Sequence, residues 1–372
     1  MSIRPIAMYL PQFHPVPEND EWWGKGFTEW KNVKKASPLF EGHYQPHIPA
    51  DLGYYDLRNP NARAAQATMA KENGIYGFCY YHYWFNGKQL LEQPFNEVLQ
   101  SGQPDFPFML CWANENWTRV WDGSEKDILM QQHYSNEDNV AHIRSLITAF
   151  KDPRYIRIDG KPVFVVYRSG LVPDVKSMLT CWRNEAAKEG LELYLCRMET
   201  FGDFGPGYLE DGFDAAINFE PFGEKLELFT KQQQWKKIND KFSGWYLKYK
   251  LSAVSKRQYM LQQIRLRPDY NEYVDFVLQQ PVAGYKRYPG TTPMWDNTAR
   301  RKSDPFLFRN PSPDKYKQWL QHELQQFKPY SEQENFIFIN AWNEWAEGNH
   351  LEPCEKFGNG YLEATKQVCA SY

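Results

Sequence analysis

The sequence has 372 residues, a length that an α/β barrel commonly reaches as one domain and that can bury a large core. Its formal net charge is only −3, which excludes the strong electrostatic field of a nucleic-acid-binding protein or of one that binds an anionic membrane. Aromatic residues make up 17% of the chain, which indicates either a carbohydrate site, where rings stack on sugars, or a large aromatic core.

Short apolar runs alternate along the chain with longer amphipathic stretches, the pattern of repeated βα units. The predicted strands are, in chain order, Ile3–Leu10, Ile75–Tyr81, Phe108–Trp112, Val163–Tyr167, Leu193–Met198, Ala215–Phe219, a poorly marked one near Tyr285–Met294, and Phe336–Ala341. The predicted helices are Asn61–Asn73, Lys88–Gln100, Asn136–Phe150, Pro173–Glu189 and Ser312–Phe327. Eight strands predict an α/β fold of the (β/α)8 TIM-barrel type. A doubly wound sheet is the alternative, but no glycine-rich phosphate loop follows the first strand.

Two segments interrupt the repeat. Pro11–Asp56 is a long first βα loop, and Phe222–Val282 is an insertion between the sixth and seventh strands. We expect the insertion to be mostly helical, to lie on the catalytic face, and to belong to a single domain that spans residues 1–372. It carries 11 Lys and Arg against 6 Asp and Glu. This excess indicates either a solvated helical face or a surface that attracts an anionic substrate.

Polar and aromatic residues follow nearly every predicted strand. In an α/β barrel the C-terminal strand ends and the loops after them build the active site, so one pocket explains such a set. We therefore predict a substrate site from Gln12, His14, Glu29, Trp30, His82, Trp84, Asn114, Glu115, Asn116, Trp117, Glu220, Trp295, Asn343 and Trp345. Some members have plainer explanations: His82 as a hydrogen-bonded structural histidine, Glu29 as the partner of a lysine, and Asn114 as a loop cap.

The eighth strand leads directly into the segment Trp342–Gly348, which carries Glu344 and Glu347. Glycosyl transfer needs one carboxylic acid to protonate the leaving oxygen and one carboxylate on the reacting face of the sugar. Two Glu three residues apart in a turn lie roughly 5–6 Å apart at Cβ, which suits this task. Their repulsion in a dry pocket would raise one pKa and keep that group protonated. The alternative is a helix N-terminus with acids placed for the helix dipole.

Several other kinds of protein are disfavoured. The six cysteines show no C-x-x-C spacing and indicate buried free thiols in a reducing compartment. H-E-x-x-H, a serine nucleophile elbow and a phosphate-binding loop are absent, so we expect neither a metal nor a cofactor. No apolar run reaches membrane-spanning length and no signal peptide is visible, which predicts a cytoplasmic protein, although a removed leader would leave the same sequence.

Five ordered segments resemble those of the WbsX-type proteins, which are encoded in gene clusters for surface polysaccharides. The segments are Ile6–His14, Gly26–Trp30, Gly77–Phe85, Leu110–Trp117 and Asn340–Gly348, and they span nearly the whole chain. The WbsX-type proteins are in turn similar to family-99 glycoside hydrolases, the endo-α-mannosidases.

This resemblance implies a (β/α)8 barrel and retaining chemistry with two essential Glu, which correspond to Glu344 and Glu347. The first would be a base acting on the sugar's own 2-hydroxyl, which attacks C1 to give a 1,2-anhydro sugar. The second would be an acid and then a base. Ala346 stands where those enzymes often have His, which leaves the donor sugar open.

Three functions follow as hypotheses. The first is a retaining glycoside hydrolase or transglycosylase that acts on an α-mannoside-like linkage of a bacterial surface polysaccharide. The second is a glycosyltransferase of O-antigen or capsule biosynthesis with a nucleotide or lipid-diphosphate donor. The third is a non-catalytic glycan-binding barrel, against which the Glu pair argues. In each case the partner is an oligo- or polysaccharide.

Overall fold

The computed structural model describes residues 3–119, 124–239, 268–301 and 305–372. Parallel strands form a barrel, which confirms the predicted fold class. The barrel strands are β1 Arg4–Tyr9, β2 Gly77–Phe85, β3 Phe108–Trp112, β4 Lys161–Val166, β5 Tyr194–Glu199, β6 Ala215–Asn218, β7 in two segments Arg287–Tyr288 and Gly290–Thr291, and β8 Phe336–Ile339.

The strands pair in chain order, and β1 closes the barrel between β2 and β8. Ile6 lies beside Gly77 on one side and beside Phe338 on the other. The two segments of β7 pair with different neighbours: Tyr288 with Ile217 of β6, and Gly290 with Phe338 of β8. Nine parallel segments therefore fill eight barrel positions.

Strand β7 is split because of two residues in its middle. Pro289 has no backbone N–H to donate to a ladder, and its carbonyl accepts from the Phe338 N–H. A Cβ atom on Gly290 would lie 2.0 Å from the Asn218 carbonyl oxygen, so only glycine fits there. These two residues also explain why the sequence marked this strand poorly.

Helices cover the outside of the barrel. They are α1 Pro17–Trp23, α2 Glu29–Lys35, α3 Pro60–Glu72, α4 Gln93–Ser101, α5 Asn136–Lys151, α6 Val175–Lys188, α7 Tyr208–Asp211, α8 Glu224–Asn239, α9 Tyr270–Val277, α10 Pro313–Gln326 and α11 Gly360–Cys369. The two short helices α1 and α2 lie in the long first βα loop. No helix of the described ranges is long and apolar enough to cross a membrane.

The predicted helix Lys88–Gln100 is wrong in its first turns. Strand β2 runs on to Phe85 and turns at Asn86 and Gly87, both with positive φ, and Lys88–Leu90 pairs back onto it. An Asn-Gly pair is a strong hairpin signal because both positions tolerate positive φ. The helix begins only at Gln93.

The structure describes the two ends of the insertion after β6, residues 222–239 and 268–282. Helix α8 packs on α9 through Phe229 against Tyr273, and Tyr273 also contacts Trp319 of α10. Both described ends are thus helical and pack against the outer layer of the barrel. Residues 240–267, on which the rest of the helical prediction falls, lie outside the described ranges.

Candidate active site

The loop after β8 carries the Glu pair and turns back on itself. Asn343–Glu344 pairs with Asn349–His350 in a two-stranded ladder, and residues 345–347 form one 3₁₀ turn between them. Gly348 closes the turn at a φ of +54°, and a Cβ there would lie 2.9 Å from Asp296. The turn therefore holds the two carboxyl groups on one tight loop, as the spacing predicted.

The two carboxyl groups have unlike surroundings. Glu344 is 6% exposed and its Oε2 has no hydrogen-bond partner among the described residues. Burial, and then the charge of Glu347, raise its pKa well above the usual range. Glu347 accepts a 2.6 Å hydrogen bond from Arg300, and this cation opposes the burial that raises the pKa of Glu347. These surroundings favour the protonated form of Glu344 over that of Glu347, because only Glu347 has the Arg300 cation as a direct hydrogen-bond partner.

Two further acids lie near the Glu pair, and the site that these four acids form is here called the cleft. Glu29, the first residue of α2, is fully buried, and its Oε1 lies 3.5 Å from Arg300 Nη2. Glu115, after β3, pairs with Arg168. Burial raises the pKa of both, and the charge of Glu347 adds to each increase. The structure thus brings four predicted residues together: Glu29, Glu115, Glu344 and Glu347.

Strand β2 supplies tyrosines to this cleft, but not the residues that the sequence predicted. Burial and then the charge of Glu344 raise the pKa of Tyr81 and of Tyr83, so both rings lie on the Glu344 side. The alternate residues face outward. His82 Nε2 lies 3.0 Å from His142 Nε2 of α5, and Trp84 donates to Asp138 of the same helix.

The prediction that His82 and Trp84 belong to the substrate site is therefore corrected. Both side chains pack the barrel against α5 and do not face the Glu pair. Successive side chains of a strand point to opposite faces, so an error of one residue exchanges the two sets. The predicted strand ended at Tyr81, and this early end placed the residues after it in a loop.

Glu352 lies behind the loop that carries Glu344, and the sequence reasoning missed it. Its Oε1 accepts from Trp342 Nε1 at 2.9 Å, and its Oε2 accepts from Trp345 Nε1 at 2.6 Å. Gln66 and Tyr55 donate to the same carboxylate. Burial raises the pKa of Glu352 to about 7, and these donors oppose the increase. One buried acid thus fixes both tryptophans that flank Glu344.

Four predicted residues belong to this supporting layer. Trp345 is 1% exposed, and Trp30 packs on it at a ring distance of 5.6 Å. Asn343 bonds both the N–H and the carbonyl of Leu10 at the end of β1. Asn114 likewise bonds both the N–H and the carbonyl of Arg168 after β4. These side chains hold the strand ends and loops in place rather than line the cleft.

Other predicted residues lie at different places. Gln12 and His14 are buried in the first loop, and burial lowers the pKa of His14 to about 4. Glu220 accepts from Asn218 and Tyr273 in a buried polar cluster.

The remaining three predicted residues flank the cleft or lie apart from it. Asn116 is exposed and accepts from the Gln132 N–H. Trp117 packs edge-on against Tyr83 at 5.3 Å, and so borders the cleft. Trp295 is 4% exposed and lines a separate cavity.

Two closely spaced histidines of the described ranges bond other side chains. His43 and His47 are four residues apart, a spacing found in some zinc sites, but His43 bonds Asp296 and His47 bonds His350. Within the described ranges no three His, Cys, Asp or Glu are placed to hold a metal ion.

The sequence matches the family model described as glycosyltransferase WbsX over residues 5–365. It is also 40% identical, over 365 residues, to the protein WxcX of Xanthomonas campestris pv. campestris, and the same identity holds for a second strain. The match covers 98% of this chain but 49% of WxcX, so the chain spans about half the length of these curated relatives.

Several solved structures are similar to this fold. The GH99 endo-α-mannosidase of Bacteroides thetaiotaomicron aligns over 99% of this chain and 97% of its own, with a TM-score of 0.60 and 13% identity. A structure named glycoside hydrolase-like protein aligns over 99% and 94%, with a TM-score of 0.56 and 14% identity. At these identities the likeness establishes a shared barrel fold.

Proposed function

The chain belongs to the family described as glycosyltransferase WbsX. We propose that this protein is a retaining glycoside hydrolase or transglycosylase. The proposed substrate is an α-mannoside-like linkage of a bacterial surface polysaccharide. The single observation that carries the proposal is the Glu344–Glu347 pair, one buried and one half-buried carboxyl group on one loop with unlike electrostatic surroundings.

The pair has the properties that acid–base work on a sugar requires. A carboxylate whose pKa is strongly raised is a strong base once it is ionised, and Glu344 has that property. We assign it the removal of the proton from the substrate's 2-hydroxyl. The freed oxygen attacks C1, a 1,2-anhydro sugar forms, and the leaving oxygen takes a proton from Glu347.

The second half of the reaction reverses the proton movements. Glu347, now a carboxylate, accepts a proton from water or from an acceptor hydroxyl, and the resulting oxygen attacks C1. The anhydro ring opens and its oxygen takes back the proton from Glu344. Two inversions at C1 give net retention.

This assignment requires the arrangement of the proton that the surroundings of the pair favour less. The surroundings of the pair favour the proton on Glu344, whereas catalysis starts with Glu347 protonated and Glu344 ionised. One proton moved between the two groups interconverts these forms, so the total charge of the cleft does not change. Arg300 influences their ratio: its charge lowers the pKa of both groups, and it donates a hydrogen bond to Glu347 as well.

The rest of the cleft suits a saccharide. Tyr81 and Tyr83 offer ring faces and hydroxyl groups, and Glu29 Oε2 is a buried acceptor without a partner among the described residues. Sugar C–H faces stack on aromatic rings, and sugar hydroxyls donate to carboxylates.

Glycosyl transfer from a nucleotide or lipid-diphosphate donor is the second candidate, and the family description favours it. A diphosphate is usually held by backbone N–H groups of a glycine-rich turn or by a helix N-terminus. Residues 10–23, which follow β1, contain no glycine, so this loop has no glycine-rich turn to hold a diphosphate.

The deciding experiment incubates the full chain with bacterial surface oligosaccharides, with and without a nucleotide sugar. We expect cleavage or rearrangement products without the nucleotide sugar, and none from the Glu344→Gln or Glu347→Gln chain. Products that appear only with the nucleotide sugar would support the second candidate. Binding without any product would support a glycan-binding protein.

A further inference from the structure

The acid behind the catalytic loop, Glu352, has a hydrogen bond for every acceptor position of an ionised carboxylate. Its Oε1 accepts from Trp342 Nε1 at 2.9 Å and from Gln66 Nε2 at 2.7 Å. Its Oε2 accepts from Trp345 Nε1 at 2.6 Å and from the Tyr55 hydroxyl at 2.8 Å. Two bonds on each oxygen use the full capacity of a carboxylate, so this set of bonds is complete only when Glu352 carries its charge.

A protonated Glu352 would leave one of these donors without an acceptor. The two indole groups can only donate. Gln66 is fixed by Tyr9, whose hydroxyl donates to Gln66 Oε1 at 2.7 Å, so Gln66 Nε2 must donate as well. The Tyr55 hydroxyl could accept the new proton, but its other described partner, the Asn343 amide nitrogen, is also a donor. Protonation of Glu352 therefore breaks at least one bond of the set.

Trp345 links this acid to the Glu pair, because it stands between Glu344 and Glu347 in the 3₁₀ turn. Its ring is 1% exposed and stacks on the His350 imidazole at a ring distance of 3.7 Å. The stack fixes the plane of the indole, and the N–H bond to Glu352 fixes its rotation within that plane. A change of charge at Glu352 therefore reaches the turn that carries both carboxyl groups.

The ionisation of Glu352 falls in a range of pH that experiments can reach. Burial raises the pKa of Glu352 to about 7, and its four donors oppose the increase. Burial also raises the pKa values of Tyr9 and Tyr55 well above the usual range, so both hydroxyl groups stay neutral. Near pH 7 this cluster therefore gains or loses its proton at Glu352.

The other groups packed around Glu352 keep one charge state near neutral pH. His350 Nδ1 lies 2.8 Å from the Glu352 carbonyl oxygen, and His350 Nε2 lies 2.9 Å from His47 Nδ1 of the first βα loop. Burial lowers the pKa of His47 to about 4 and that of His350 well below the usual range, so both are neutral. Arg63 of α3 is a cation that pairs with Glu97. A change of charge near neutral pH is thus expected at Glu352 rather than at these neighbours.

We propose that Glu352 is a positioning residue whose ionised form holds the turn of the Glu pair in its catalytic geometry and whose protonated form releases it. The charge of a supporting acid, and not only the charges of Glu344 and Glu347, then decides whether the site works. The inference rests on the proposed function for the reaction that this geometry serves. The expected loss at low pH is in kcat rather than in KM, because the groups that bind the substrate remain.

The test follows the indole N–H signals of Trp342 and Trp345 by nuclear magnetic resonance of the full chain, from about pH 5 to about pH 9. Each signal is identified by its loss in the Trp342→Phe or the Trp345→Phe chain. In the unsubstituted chain both signals should move together with a midpoint at about pH 7, because their common acceptor changes charge. In the Glu352→Gln chain this common movement should disappear.

Tyr55→Phe is a second and milder variant. It keeps the ring and removes one donor to the ionised Glu352, and a donor to the charged form lowers the pKa of a carboxyl group. The midpoint of both indole signals should therefore rise by about one pH unit. A purely structural role of Glu352 would leave that midpoint unchanged, so this variant decides the question even if Glu352→Gln does not fold.

Glu323→Gln is the matched control. Glu323 is also a buried acid, on α10, and it accepts from the Trp319 indole N–H at 3.1 Å and from Lys225. This variant should keep the movement of both indole signals and the kcat of the unsubstituted chain. Glu352→Gln should lower kcat about tenfold at about pH 8.5, and progressively less below about pH 7, where the unsubstituted chain loses the same charge.

The outcomes separate this inference from the proposed function. Indole signals that move alike with and without Glu352→Gln, or that do not move in the unsubstituted chain, would overturn the inference. Equal kcat values for the Glu352→Gln and Glu323→Gln chains would overturn it as well. If the unsubstituted chain neither cleaves nor transfers any saccharide, the proposed function fails, whereas the indole signals still decide whether Glu352 controls the turn.

Discussion

At the scale of single residues, the site depends on how one proton is shared. Glu344 and Glu347 are three residues apart in the sequence, yet Arg300 contacts only one of them. Interacting carboxyl groups titrate as a pair, so kinetic pKa values will belong to both. Three predictions follow from this arrangement.

The first concerns the acid. Glu347→Gln should lose most activity on saccharides with poor leaving groups, by about 100-fold or more, because protonation of the leaving oxygen is lost. Activated aryl glycosides need no such proton and should lose far less. Steady-state kcat/KM on both substrate types provides the measurement, and Glu344→Gln is the matched variant that should lose both. An equal loss for Glu347→Gln would contradict its acid role.

The second concerns Arg300. Arg300→Gln removes a cation that favours the ionised carboxylates, so the apparent pKa values of the pair should rise. The pH–rate profile should then move to higher pH, by about one unit. Arg168→Gln, which removes a cation paired with Glu115 instead, should move it less. A profile that moves to lower pH would contradict the assigned electrostatics.

The third concerns the nucleophile. If Glu344 deprotonates the 2-hydroxyl, a 2-deoxy-2-fluoro glycoside with a good leaving group should bind without turnover and without attaching to the protein. Intact-mass spectrometry after incubation should find the unmodified chain. A stable glycosyl ester on Glu344 would make this residue the nucleophile instead.

At the scale of elements, the two faces of strand β2 have different contacts, because successive side chains of a strand point to opposite sides. Tyr81 and Tyr83 face the Glu pair, whereas His82 and Trp84 face α5. The strand continues to Phe85 before its Asn-Gly hairpin turn, and Tyr83 near its end is close enough to Glu344 and Glu347 for their charges to raise its pKa.

Two neighbouring substitutions test this alternation. Tyr83→Phe should lower kcat/KM by about tenfold with little change in stability, because it removes only a hydroxyl on the cleft side. Trp84→Phe should instead lower the free energy of unfolding by about 1–3 kcal/mol, since Asp138 loses its indole donor and the contact with α5 shrinks. Urea denaturation and kinetics of both variants are the measurements. If Tyr83→Phe instead lowered stability and Trp84→Phe lowered kcat/KM, Trp84 rather than Tyr83 would face the cleft.

At the scale of the whole molecule, the barrel joins the two ends of the chain. Strand β1 is hydrogen-bonded to both β2 and β8, and α11 packs on α10 through Tyr361 and Tyr316. No partial set of strands can close a barrel without the last one.

We therefore expect one cooperative unfolding transition, consistent with the predicted single domain. Denaturant curves followed by tryptophan fluorescence and by far-ultraviolet circular dichroism should coincide. Two separate transitions would indicate that the insertion after β6 folds as its own domain.

The sequence by itself determined the barrel and the position of the Glu pair. Apolar strands alternate with helices that begin at capping residues. Both patterns are local, so they can be recognised in the sequence without knowledge of the tertiary contacts. The E-x-x-E spacing fixed Glu344 and Glu347 on one turn for the same reason. The split in β7 left only a weak signal, because Pro289 and Gly290 interrupt its pattern.

Only the tertiary structure decided which residues share the cleft with that pair. Arg300, Glu352 and the β2 tyrosines reach Glu344 and its loop from distant parts of the chain, and no local pattern records such contacts. The face of β2 depends on a register of one residue, which is fixed by pairing with β1 and β3. Burial then set the electrostatics, because a Glu that is enclosed beside another carboxylate has a higher pKa than the same Glu in water.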